Sequence, residues 1–331
     1  MNNAENNPAT TVNLAQFIAS VPAMLGMIPN NSLVIATLTL TGRVGAIARV
    51  DHDTAAAVHA VDTLKQTAQA DAVSVALVSA HPDGDTAEDT LLAATKRAHA
   101  LGLEVPIATV LSEYAAGEFF FDFPSATAAH LADPHTSAVA TARIVAGSAP
   151  IAESRDALAD ELAPADDTAE SLARQFEARH TRAEAPQVTD TENLDTYRAA
   201  VTDRRALTPT EAIALAVTLA DNPRARDVAL YFSQPNGSDA ILADAACHTA
   251  GYARFAVLSV LATVAYAHGN GARAAVALEV IEAEVAHDTQ IPKLALLMRA
   301  AVDNVVHPDR VQEVLKAGRK VLPEFGFTDE D

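Results

Sequence analysis

The stretch 14–51, LAQFIASVPAMLGMIPNNSLVIATLTLTGRVGAIARVD, constrains the fold more than any other. It reads as a short helix, a punctuated loop and two apolar strands. Leu14, Phe17, Ile18, Val21 and Leu25 recur at helical spacing and form one apolar stripe. Pro22 lies inside that stripe, which predicts a kink or a restart after Ser20. Gly26 is a natural stop, and Pro29-Asn30-Asn31 turns the chain. Residues 32–40 then place Val, Ile, Leu and Thr on both faces of a period-two element. A strand apolar on both faces is covered on two sides, so it belongs inside a sheet with helices against it. After a Thr41-Gly42 turn, residues 44–50 return as its partner, with Arg49 and Asp51 at the far end.

The pattern continues as helix 54–70, strand 72–79, helix 86–101, strand 105–111 and an aromatic hairpin over 113–123. Strand–helix–strand units imply parallel neighbours, and the hairpins add antiparallel edges. The sum is a mixed sheet flanked by helices, an α/β amino-terminal half over 12–150. Residues 126–147 are Ala-rich and read as helix, Ser154 caps a helix running to 163, and a charged helix spans 166–179. Residues 180–192 are polar, carry Pro and lack periodicity, so 151–192 reads as connecting helices ending in a linker.

From 193 to 322 the chain reads as all helical. Thr208-Pro209-Thr210-Glu211 supplies a cap, a proline at the first helical position and Glu at the third. Asn222-Pro223 ends that helix. Further helices follow at 224–232, 238–249, 252–268, 271–287, 291–304 and 309–321. Two of them, joined by Gly269-Asn270-Gly271, put Ala262, Tyr266, Ala274, Leu278 and Ala283 near the small and large positions of a tetratricopeptide-like hairpin. An ordinary antiparallel helix pair accounts for the same residues, and a solenoid needs about three repeats. Residues 1–11 and 323–331 are polar or acidic and are expected to be disordered.

A formal net charge of −20 excludes a broad cationic footprint, so no nucleic acid is expected as a partner. Cys247 is the single cysteine, which rules out an internal disulfide and a Cys-based zinc site. No signal peptide and no apolar run of about 18 residues stands out, so a cytoplasmic protein without a membrane partner is expected.

Catalytic and cofactor motifs are missing. There is no G-x-G-x-x-G after a strand, no phosphate-binding loop, no H-E-x-x-H and no G-x-S-x-G. No cofactor and no metal are expected. His130, Asp133 and His135 come nearest to a ligand cluster, but Asp133-Pro134 reads first as a turn. Asp51-His52-Asp53 gathers polar groups at a strand end, where adjacent side chains point to opposite faces.

The residues Val21-Pro22-Ala23-Met24-Leu25-Gly26, Pro29, Ser32-Leu33-Val34 and Arg49-Val50-Asp51 resemble the amino-terminal signature of the DUF4192 family of actinobacteria and their phages. Ser154-Arg155-Asp156-Ala157-Leu158 through Leu162-Ala163-Pro164 is similar too, as are Gly269-Asn270-Gly271-Ala272 and Ala277-Leu278-Glu279. The resemblance covers most of the chain and implies the same fold, with no activity to carry over. It also implies an aromatic, Cys/Pro-rich segment after the last strand. Here that place reads Glu118-Phe119-Phe120-Phe121-Asp122-Phe123-Pro124, without a cysteine.

Two functions are compatible with these features. The first is a non-enzymatic adaptor whose helical half meets a protein partner through Tyr266, His268, Asn270 and Arg273. The second is an enzyme or small-ligand sensor at the carboxyl edge of the sheet, where open α/β sheets bind ligands. There Arg49 and Asp51 would be anchor and acid/base, with Tyr114 and Phe120 as walls. Homo-oligomerisation is left open.

Overall fold

The computed structural model describes residues 14–39, 43–67, 72–80, 85–165, 190–285 and 290–328. The chain divides after Ala142 into two compact units, each treated by itself. The expected helix 166–179, most of the linker, the Thr41-Gly42 turn, residues 1–11 and the last three residues lie outside the described ones.

The first unit begins with α1, Leu14–Leu25, one helix that runs through Pro22. Gly26 stops it with φ +80° and an N–H that donates to the Pro22 carbonyl. Then come β1 (Ser32–Thr39), β2 (Val44–Asp51), α2 (Thr54–Thr67), β3 (Ala72–Ala80), α3 (Asp85–Ala100) and β4 (Glu104–Leu111). The last two strands are β5, Phe119–Asp122, and β6, Thr127–His130. The sheet order is β2-β1-β3-β4-β5-β6. Strand β1 is antiparallel to both neighbours, β3 and β4 are parallel, and β5 and β6 are antiparallel additions. It follows that β2, β3 and β4 all end at the same edge. Helices α2 and α3 pack on each other and on the sheet. As its two-sided apolar pattern requires, β1 is buried from Ser32 to Leu38.

The expected helix over 126–147 is corrected. Thr127–His130 forms β6, and only Ala138–Ala146, α4, is helical after a short 3-10 turn at Pro134–Thr136. Pairing of Phe119 with His130 and of Phe121 with Ala128 overrides the helical preference of two alanines. Asp133 caps the 3-10 turn by accepting the His135 N–H.

The second unit holds α5 (Arg155–Asp160), α6 (Asp190–Asp203), α7 (Pro209–Asp221), α8 (Pro223–Phe232) and α9 (Ser238–Cys247). It continues with α10 (Gly251–Ala267), α11 (Gly271–Glu284), α12 (Lys293–Asp303) and α13 (Pro308–Ala317). Helix α6 starts at Asp190, inside the segment read as linker. Thr208 and Glu211 form the expected capping box on α7, and Asn222 closes α7 while capping α8. Arg205 and the Thr208 N–H hold the Glu211 carboxylate and pull its pKa down to about 2. Every residue of α10 from Ala253 to Ala267 is buried, so this apolar helix is the axis of the unit. Among the described residues, no helix is long and apolar enough to cross a membrane.

The end of the chain is not loose. A 3-10 helix, Gly318–Phe325, lies along α8. A Cβ on Gly318 would stand 1.9 Å from the Asp227 carbonyl oxygen, so only glycine permits this approach. Phe327 is buried edge-on to Phe232, 5.1 Å between ring centres, with the Arg198 guanidinium over both rings. The acidic composition of 323–331 predicts disorder; over 323–328, the part described, the buried Phe327 is an anchor that composition hides.

Candidate functional site

The sheet-edge residues named from sequence do not assemble into one pocket. Arg49 and Asp51 pair with each other at 2.8 Å on β2. Tyr114 follows β4 and Phe120 lies on β5, three and four strand positions away. At about 4.8 Å per strand, that separation is on the order of 15–20 Å. Phe120 points into the core and has almost no exposed surface. Tyr114 is also buried, its hydroxyl has no partner among the described residues, and burial pushes its pKa far up.

The same edge contains a contact that spacing did not reveal. His52, just past β2, reaches Ser79 on β3, with Nε2 3.2 Å from the Ser79 hydroxyl. Burial lowers the imidazole pKa, opposed by a hydrogen bond to the Ser32 backbone. His52 Nε2 and the Ser79 hydroxyl share one hydrogen bond, whose direction follows the imidazole tautomer. Ser79 has no exposed surface. The pair fastens the ends of β2 and β3 together. Beside it, Ser32 Oγ and Arg49 Nε are buried without partners.

The four residues expected to face a protein partner on the helical hairpin are turned inward. Tyr266 is buried and donates to the Val306 carbonyl at 2.7 Å. Burial raises its pKa to about 12. Asn270 is buried as the cap of α11, accepting the Arg273 N–H. Arg273 is buried on Glu161, and His268 Nε2 donates to the Gln234 carbonyl. Tyr266, His268 and Arg273 read as surface because their partners come from distant segments.

What the first unit does present is aromatic. Along β5 the side chains alternate: Phe120 and Asp122 are buried, while Phe119 is 53% and Phe121 36% exposed. Phe123 follows at 53%, edge-on to Phe121 at 5.2 Å, and Phe119 stands edge-on to His130. The hairpin carrying them is rigidly built. The buried Asp122 carboxylate accepts the Ala108 N–H, the Thr109 hydroxyl, the Ser125 N–H and the Ser125 hydroxyl. It thus ties β5 to β4 and closes the turn into β6. Among the described residues no strand pairs with the outer edge of β6, so its outward backbone groups have no strand partner there.

The second unit contains a different kind of arrangement. Asp239, in the first turn of α9, is 4% exposed, and no hydrogen bond reaches its carboxylate among the described residues. The nearest cationic atom is Arg273 Nε at 3.9 Å, itself buried and without an acceptor. Arg143 and His268 also feel the Asp239 charge. Their Nε and Nδ1 atoms are buried and unpartnered too. Burial lowers the pKa of His268, with Asp239 opposing, so its ring is neutral near pH 7. Two left-handed glycines bring these segments together. A Cβ on Gly237, just before α9, would sit 2.7 Å from the Gly147 carbonyl oxygen, just after Arg143 and α4.

A family model described as a domain of unknown function, DUF4192, matches residues 15–309 of the 331. No curated protein and no solved structure matches the chain.

Proposed function

This chain belongs to the DUF4192 family, and from that premise we propose that it is a non-enzymatic protein-binding protein that docks its partner on the aromatic edge of the first unit. One observation carries this reading: three phenylalanines stand exposed on a hairpin whose carboxylate-locked turn holds them in place. Grouped, solvent-exposed large apolar side chains beside an open strand edge are features of interaction surfaces. Pre-organisation of the hairpin lowers the ordering cost of binding.

The partner we infer is an extended apolar segment flanked by basic residues, adding as a strand to β6. A second copy of the chain is disfavoured by a net charge of −20, which repels its own kind. Selection of displayed peptides on the intact protein tests this. Expected winners alternate apolar residues between lysines or arginines, protect the amides of β6 from exchange, and lose binding to the Phe119→Ser, Phe121→Ser variant. Winners that bind the variant equally well would move the surface elsewhere.

A second reading, a small-ligand site at the carboxyl edge of the sheet, is favoured by the unpartnered Ser32 hydroxyl and Arg49 Nε beside His52. A thermal-shift screen with nucleotides and metabolites, repeated on Arg49→Ala, separates it from the first.

A further inference from the structure

We propose that the second unit carries a binding site for a free α-amino acid, formed by Arg143, Asp239, His268 and Arg273. The argument starts from what a buried charge requires. A carboxylate removed from water needs donors, and a guanidinium needs acceptors; leaving either unmade costs free energy. This protein meets that requirement elsewhere. Arg254, 1% exposed, donates to Glu284 and to the carbonyls of Ala246 and Leu162. Asp122 has four donors. Around Asp239 the pattern breaks, and the spare atoms are complementary to one kind of ligand.

Two spare donors are the Nε–H groups of Arg143 and Arg273, both buried. The acceptors are His268 Nδ1, which is buried and unpartnered, and the Asp239 carboxylate, which has only the long ion pair to Arg273 Nε at 3.9 Å. His268 Nδ1 carries the lone pair because Nε2 uses its hydrogen on the Gln234 carbonyl, 3.1 Å away. A ligand carboxylate suits the guanidinium edges, and a ligand ammonium suits the aspartate and imidazole. The charges agree with this choice. Arg143 and Arg273 contribute +2, and Asp239 with Glu161, the ion-pair partner of Arg273, contributes −2. The cluster is neutral, so a zwitterion adds no net charge to a buried place. A simple anion offers Asp239 nothing, and a metal cation meets two guanidinium groups. Access is from the side of Glu161 and Arg143, since the Glu161 side chain is half exposed and Arg143 is only half-buried.

The test is calorimetry and thermal shift on the full chain with each of the twenty proteinogenic L-α-amino acids. Acetate and methylammonium, at equal concentration, serve as half-ligands. At least one amino acid is expected to bind and raise the melting temperature, while neither half-ligand does. Arg143→Gln and Asp239→Asn should each weaken that binding at least tenfold with the circular dichroism spectrum kept. If Asp239→Asn does not fold, Arg143→Gln decides, because that side chain is only half-buried in the last turn of α4. Failure of all twenty to bind the folded protein overturns the proposal. So does acetate binding as tightly as the amino acid, unchanged affinity in the variants, or a crystal structure in which water alone fills the cluster.

Discussion

Asp122 in the first unit and Asp239 in the second are the same residue type at nearly the same burial, and they live by opposite rules. Asp122 spends its lone pairs on four donors, and its hairpin is correspondingly fixed. Asp239 has no hydrogen bond among the described residues and faces the Arg273 guanidinium, whose Nε hydrogen is unused, at 3.9 Å. The units differ in the same sense elsewhere. The first ties its buried Asp122 into satisfied bonds and displays aromatics at an edge. The second encloses most of its aromatics, Tyr197, Phe255 and Tyr266 among them, and leaves Arg143 Nε and Arg273 Nε buried without acceptors. Burial alone therefore does not mark a site; unmade bonds do.

Four measurements can break or sharpen that contrast. The largest effect is expected at Arg254→Met, which strips acceptors of a buried cation and should cost about 3–5 kcal/mol in denaturant unfolding of the second unit. A loss below about 1 kcal/mol would mean that a fully bonded buried charge is no scaffold here. Asp122→Asn comes next, at about 2 kcal/mol, because an amide hydrogen then faces the donors of Ser125. An equal loss on Asp239→Asn, where no more than about 0.5 kcal/mol is expected, would erase the distinction between the two aspartates.

Acid provides the third measurement. His52 and His268 have folded pKa values lowered by burial, so the unfolded chain binds more protons as pH falls below the ordinary value. Each contributes stability that is complete above about pH 6.5 and is lost as pH falls from there toward the lowered folded value. Melting temperatures from pH 7 to 5.5 should fall for both units, and His52→Gln should flatten the slope of the first alone. The smallest stability effect, within about 0.5 kcal/mol, is expected for Phe119→Ser with Phe121→Ser. A large loss there would show that the exposed rings belong to the core of the first unit.

The two-sided apolar run at 32–40 made β1 and its place inside the sheet legible, and the capping signals at Thr208 and Asn222 fixed helix ends directly. These are local effects that spacing can carry. Strand β6 escaped because Thr127-Ala128-Ala129-His130 gains its conformation only from pairing with β5. The inward turn of Tyr266 and Arg273 escaped for a related reason: their partners are Val306 for the first, and Glu161 and Asp239 for the second. The cluster around Asp239 draws on positions 143, 239, 268 and 273, and no periodicity links them. His52 was visible beside Asp51, but Ser79, which explains it, lies 27 residues on.

The seat of Gly318 and Phe327 against α8 also sets an order in time. Strand β6 and everything before it in the first unit are complete once residue 142 has been synthesised. The second unit lacks its closing contact until Phe327 emerges. At about 5–20 residues per second, the roughly 185 intervening residues take on the order of 10–40 s. Throughout that interval a finished sheet, with its three phenylalanines already in place, is tethered to a helical half that still awaits its last contact.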